Sequence, residues 1–141
     1  MDHVTVVVDD LDAAIAFFTE LGMDLRGQAS VQGPWVDELA GLDNVRADIA
    51  MMRMPDGSGQ IELTRYNAPP ALAPVPEIAP PNTLGIRQIM FEVDDLDAVV
   101  ARLEEGGGER IGEIVQYEDQ NRLCYVRGPE GMIIALAEQI G

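Results

Sequence analysis

Cysteine is almost absent from this chain, and the single one, Cys124, rules out two classes of protein at once. No internal disulfide framework can form, and no cysteine-rich metal site can be built. Set in a strand-like stretch, Cys124 reads as a small core side chain rather than a reactive thiol. Histidine is as scarce, with His3 the only one. Basic residues are few, 9 against 25 acidic ones, which gives a formal charge of −16. A field of that sign repels nucleic acid and anionic membranes, and it does not steer anionic substrates such as acyl-CoA, although a local patch of arginine could override it. No run approaches the roughly 18 apolar residues of a membrane span. No basic segment opens the chain, which starts MDHVTVVVDD directly on a strand pattern. The expectation is therefore a cytoplasmic protein without a signal peptide, with neither nucleic acid nor membrane as partner.

What the chain does contain is a repeat. His3 to Gly22 reads HVTVVVDDLDAAIAFFTELG and Gln88 to Gly107 reads QIMFEVDDLDAVVARLEEGG, 85 residues later, with nine of twenty positions identical. Two copies of one unit do not make a solenoid, which needs three or more. They do give a rule for locating a site: equivalent positions of paired modules come together, and an asymmetry between them marks chemistry kept or lost. At 141 residues, 47% of them hydrophobic, the length suits one globular domain. Each half alone is marginal, so a shared core or a homodimer is expected.

Each copy has the same layout. A β-branched run, residues 3–8, precedes Asp9 and Asp10. Asp10 or Asp12 can cap a helix over Ala13–Leu21, whose stripe is Ile15, Phe18 and Leu21 and which Gly22 stops. The second copy predicts a strand over 86–93, a cap at Asp95 or Asp97, and a helix ending near Glu105 before Gly106–Gly108. Three further strands follow in each half, at about 24–31, 46–54 and 60–66, then at about 109–116, 121–127 and 132–137. Turns fall at 55–59, 118–120 and 128–131. The stretch Gly33–Asn44 is a longer excursion with room for a short helix at Val36–Leu39. Asn67–Thr83 holds six prolines and reads as a linker. The organisation is thus one domain, with module 1–66, linker 67–83 and module 84–141.

A four-stranded sheet can bury only one face against a single helix, so its other face must curve around something. The predicted fold is α+β: two βαβββ modules forming an open, cup-like mixed β-barrel with the helices outside. Alternation then sorts the strands. Val4, Val6 and Val8 face the helix, and His3, Thr5 and Val7 face the cup. Ile89, Phe91 and Val93 face the helix, and Gln88, Met90 and Glu92 the cup. Ile61 and Leu63 pack outward, with Glu62, Thr64 and Tyr66 inward. Met132, Ile134 and Leu136 pack outward, while Ile133, Ala135 and Ala137 point in.

The segments DHVTVVVDDLDAAIAFFTELG, GQIELTRY, GIRQIMFEVDDLDAVVARL and RGPEGMIIALAE span nearly the whole chain. Together they resemble the vicinal oxygen chelate superfamily, which includes glyoxalase I, methylmalonyl-CoA epimerase, extradiol dioxygenases and the fosfomycin- and bleomycin-resistance proteins. The resemblance implies the fold. It does not choose among the activities that the superfamily hosts.

In the metal-dependent members, four side chains form the site, one from the first strand and one from the last strand of each module. Carried onto this sequence, those positions are His3, Glu62, Gln88 and Ala135. Gln88 stands where histidine is common, and Ala135 stands where a glutamate, ligand and often general base, is usual. The resemblance thus implies one divalent ion, Zn, Ni, Mn or Co, held by His3, Glu62 and Gln88, or no metal, as in the drug-sequestering members. An inward Glu62 needs a partner or an ion. Glu62 is also the best base candidate, and Glu92, inward by alternation, could substitute. Candidate ligand-binding side chains are Trp35, Tyr66, Met90, Tyr117, Arg122 and Tyr125, with Met51 or Met52 and Met132 beside them.

Two functions compete. The first is a glyoxalase-like, metal-dependent lyase or isomerase (an epimerase, for example) acting on a small oxygenated metabolite. The second is a metal-free protein that binds or sequesters a small molecule, as bleomycin-resistance proteins do, favouring a cationic or amphipathic ligand. A purely structural role comes third. An iron dioxygenase site is disfavoured, because it uses two histidines and a carboxylate.

Overall fold

Acidic caps and glycine stops place the helices, and β-branched runs place the strands. The computed structural model describes residues 1–141. The chain divides into two compact units, Met1–Ala73 and Pro74–Gly141.

In the first unit, β1 (Val4–Val7) leads into α1 (Leu11–Glu20), β2 (Asp24–Gln32), α2 (Pro34–Ala40), β3 (Arg46–Arg53) and β4 (Gln60–Ala68). The strands lie in the order β1-β4-β3-β2. β1 runs parallel to β4, and the other pairs are antiparallel. The second unit holds β5 (Gln88–Glu92), α3 (Leu96–Glu105), β6 (Glu109–Tyr117), β7 (Asn121–Arg127) and β8 (Ile133–Gln139), ordered β5-β8-β7-β6 with the same directions. The fold is α+β, built from two βαβββ modules with open, mixed four-stranded sheets. The first module adds α2 in its β2–β3 connection.

Both major helices begin and end alike. The Asp10 carboxylate accepts from the Ala13 N–H at 3.0 Å, and the Asp95 carboxylate from the Ala98 N–H at 3.1 Å. Each satisfies an N–H that the first turn leaves without a partner. At the other end Gly22 (φ 94°) and Gly107 (φ 96°) take the left-handed conformation. The following N–H groups reach back, Met23 to the Phe18 carbonyl at 3.1 Å and Gly108 to the Leu103 carbonyl at 2.8 Å. This left-handed stop recurs at the 85-residue offset of the sequence repeat.

Helix α1 packs on β2, β3 and β4, and α3 on β6, β7 and β8. In α1 the inward face is Ala14 and Phe18, both fully buried, against the sheet whose strands β3 and β4 carry the buried Ala50, Met52 and Leu63. Burying a side chain the size of Phe18 contributes about 2–3 kcal/mol before entropy is counted. In α3 the buried residues Leu96, Val99, Val100 and Leu103 fall at helical spacing. The strand alternation follows: Val4 and Val6 are half-buried and Thr5 and Val7 exposed, while Phe91 is buried and Gln88, Met90 and Glu92 are exposed. β8 lies inside its sheet, and Ile133 through Ala137 are all buried, on both of its faces.

Several boundaries differ from those expected: α1 begins at Leu11 rather than Ala13, and β4 runs on to Ala68, into the expected linker. The strand expected over 86–93 begins at Gln88, and Ile86 is exposed. A strand needs a partner, and β8 begins only at Ile133, opposite Gln88, after the turn at Pro129–Gly131.

Candidate functional site

His3 sits just before β1, and the pairing of β1 with β4 sets what it meets. Thr5 lies beside Glu62, and the Gln60 amide donates to the Asp2 carbonyl at 3.2 Å, tying the N-terminal residues to β4. The His3 Nε2 then lies 3.2 Å from Glu62 Oε2, and its Nδ1 lies 2.6 Å from Asp2 Oδ2. The other Glu62 oxygen, Oε1, accepts from the Thr64 hydroxyl at 2.9 Å. Thr64 is the one buried polar side chain of the chain. His3 and Glu62 are 28% and 20% exposed, sheltered but open to solvent, whereas Asp2 is 83% exposed.

The Asp2 carboxylate on Nδ1 raises the His3 pKa above its ordinary 6.5, partly opposed by desolvation, with the Glu62 charge adding to the rise. The geometry has a chemical consequence. If Nδ1–H donates to Asp2, the Nε2 lone pair points at a carboxylate oxygen. Two acceptors at that distance need a positive charge between them, either a proton on the imidazole or a cation. Asp2 fixes the ring in the manner of an outer-shell carboxylate on a ligand histidine. Sequence reasoning missed Asp2 and Thr64. The signals were a carboxylate adjacent to the only histidine and a threonine two residues after Glu62, on the same face of one strand.

In the second unit, Gln88 holds the position that His3 holds in the first, 85 residues on. Register places Ala135 as the counterpart of Glu62: Thr5 pairs with Glu62, and Met90 pairs with Ala135. Met90, Ala135, Tyr125 and Ile111 form one cross-strand row. Ala135 is fully buried, Tyr125 half-buried, and Met90 52% exposed. Glu92 shares the β5 face of Gln88 and Met90 and is exposed.

The remaining candidates are dispersed. Tyr66 packs against the small core of Val36, Val45 and Ala47. Trp35 on α2 and Tyr117 at the end of β6 are exposed. Met51 pairs with Glu62 across β3 and β4, and Met52 is fully buried. Arg122 lies beside Glu138, whose carboxylate accepts from the Leu96 N–H of α3 at 2.6 Å. Its guanidinium grips Asp97 with two bonds of 2.9 and 3.0 Å. That puts Arg122 on the α3 side of the sheet, opposite the face of Tyr125.

The family model of the Glyoxalase/Bleomycin resistance protein/Dioxygenase superfamily matches residues 1–136. This chain belongs to that superfamily. It is similar to a glyoxalase family protein from Bacillus cereus of known crystal structure, with 49% identity and a TM-score of 0.95 over 100% of this chain and 94% of that one. It is 28% identical over 138 residues to the uncharacterized protein YaeR of Escherichia coli K12, covering 97% of this chain and 94% of YaeR. It shares its fold with the trypanothione-dependent glyoxalase I of Leishmania major, at a TM-score of 0.68 and 20% identity, over 98% of this chain and 85% of that one. As a glyoxalase-superfamily chain, it has no helix long and apolar enough to cross a membrane.

Proposed function

We propose that this glyoxalase-superfamily chain is a metal-dependent lyase or isomerase of a small oxygenated metabolite, working as a cytoplasmic homodimer. The 3.2 Å approach of His3 Nε2 to Glu62 Oε2 carries the reading, because an imidazole lone pair and a carboxylate oxygen make two donors for a divalent cation. The structure gathers no group of three or more His, Cys, Asp or Glu side chains that could hold an ion. His3 and Glu62 alone fall short of such a group, so the reading needs neutral oxygens for the remaining donors. Gln88, the repeat counterpart of His3, is the amide we assign, with water supplying the rest. Zn, Ni, Mn or Co suits such a mixed nitrogen and oxygen set.

A bound divalent cation would supply Lewis acidity for a substrate carbonyl. The chain's own residues do the remaining work. Asp2 orients His3, and the Thr64 hydroxyl fixes one Glu62 oxygen so that the other faces the imidazole. Glu62 cannot serve freely as both ligand and base, so the proton acceptor we assign is Glu92 on the exposed face of β5. Met90 and Tyr125, in the row through Ala135, offer apolar surface to the substrate.

Ala135 favours a second reading. A fully buried alanine at the position equivalent to Glu62 removes the carboxylate that the metal-dependent relatives use, as a metal-free ligand-binding protein would. Calorimetry on untagged, chelator-stripped protein separates the two. The expected result is saturable binding of at least one of Zn, Ni, Mn and Co. No binding of any of them by folded protein would leave the ligand-binding protein as the better account.

A further inference from the structure

One nitrogen of the Arg87 guanidinium is left without an acceptor. This atom, Nε, is buried and has no hydrogen-bond partner. Such groups are almost always paired, because an unmet buried donor costs its full desolvation. The chain is rich in carboxylates, 25 in all, yet none of them serves this nitrogen. Arg87 immediately precedes β5, so alternation turns it to the opposite side from Gln88.

Arg87 lines a cavity of about 280 Å³ whose walls all come from the second unit. One wall is the proline-rich stretch from Pro74 to Arg87, and the other runs from Arg127 to Ile133. Arg127 holds the two together: its Nη1 donates to the Ala79 carbonyl at 2.8 Å and to the Gly131 carbonyl at 2.9 Å. The cavity is therefore built by specific bonds rather than left by loose packing. Among its apolar lining residues Ile133 is buried, whereas Val75 and Ile86 are largely exposed, so the cavity is open to solvent on that side. Its volume is ample for a carboxylate or phosphate group and for part of the small molecule that carries one. Glu77 and Glu130 also line it, so a bare field of positive charge is not what selects a ligand. Fork geometry can do so, because guanidinium N–H groups match the paired oxygens of a carboxylate or phosphate.

We propose that this cavity binds a small oxyanion, a carboxylate or phosphate group, through Arg87 with Arg127 beside it. None of the lining residues is His3, Glu62 or Gln88, and the test below uses metal-free protein, so its outcome is separate from that of the metal titration.

The test is calorimetric titration of the full chain, stripped of metal, with inorganic phosphate and separately with acetate at constant ionic strength. Saturable binding of one anion per chain is expected, and the stronger arm names the source. Arg87→Gln should weaken it by about tenfold to a hundredfold, the range for a charge-assisted hydrogen bond. Arg87→Lys, which keeps the charge and removes the planar fork, should weaken it as well, and it serves if the glutamine variant does not fold. Glu77→Gln should tighten it. Binding of neither anion, or binding indifferent to both Arg87 variants, would overturn the site. So would an Arg87→Gln variant that changes the sedimenting mass while the wild type binds no anion, because Arg87 would then belong to a contact between copies.

Discussion

Glu62 and Ala135 occupy the same position in two copies of one module. Thr5 pairs with Glu62 across β1 and β4, and Met90, its counterpart 85 residues on, pairs with Ala135 across β5 and β8. One copy carries a carboxylate held by Thr64, and the other carries a methyl group with no exposure. The two copies therefore differ in chemistry at one equivalent position, a carboxylate in the first and a methyl group in the second.

Making the two copies alike tests what that position is for. Ala135→Glu places a carboxylate where the wild type is fully buried, which should destabilise the metal-free protein by about 3 kcal/mol in urea denaturation. If the position borders an ion, Zn, Ni, Mn or Co should recover much of that loss through linkage, raising the melting temperature of the variant more than that of the wild type. A loss that no metal repairs would take Ala135 out of the ion's surroundings.

Thr64→Val removes the hydroxyl that holds Glu62 Oε1 and keeps the shape of the side chain. The expected cost is about 1 kcal/mol of stability, the ordinary worth of one such bond. The same change should weaken divalent metal binding by about tenfold, as outer-shell substitutions do. A variant that loses stability but binds metal as the wild type does would make Thr64 a purely structural residue.

The fold was legible because two signals with different periods agreed. The DDLDA run appears twice, and in each copy the first of the candidate caps, Asp10 and Asp95, is the one that bonds the helix, with Gly22 and Gly107 closing it. Alternation then sorted Glu62 from Ile61 and Leu63, and Gln88 from Ile89 and Phe91. The site was legible only in part. Asp2 and Thr64 act through hydrogen bonds to near neighbours in the sequence, Asp2 to His3 and Thr64 to Glu62, and periodicity gives the face of such residues but not the bonds they make. Arg122 showed the limit most clearly. Its place beside a hairpin turn suggested a ligand contact, but its charge is spent on Asp97 at the start of α3, a contact 25 residues away in sequence.

Cys124 should behave as a core side chain. It is 3% exposed, burial pushes its thiol pKa up, and its Sγ–H points to the Tyr125 carbonyl at 3.6 Å. Both features keep the thiolate scarce and out of reach. Native protein should react with a chromogenic disulfide reagent far more slowly than protein in denaturant, which should give one thiol per chain. Rapid modification of the native state would show that β7 opens readily.

The Asp97–Arg122 fork gives the chain a defined acid response. The two bonds from Arg122 hold the Asp97 carboxyl below its ordinary pKa of 3.8. A group whose pKa is depressed on folding binds protons more readily when unfolded. Its contribution to stability is therefore complete above the unfolded value and is lost as pH falls through the folded one. Stability should consequently drop below about pH 4 as this and similarly held carboxyls protonate. Asp48, lowered chiefly by the Ser30 hydroxyl, belongs to the same set. Arg122→Gln should return Asp97 towards its ordinary titration, read from its carboxyl carbon by NMR. It should also shrink the stability gap between variant and wild type as the pH drops through that range. An Asp97 carboxyl that titrates at its ordinary value in the wild type would show that the fork does not persist in solution.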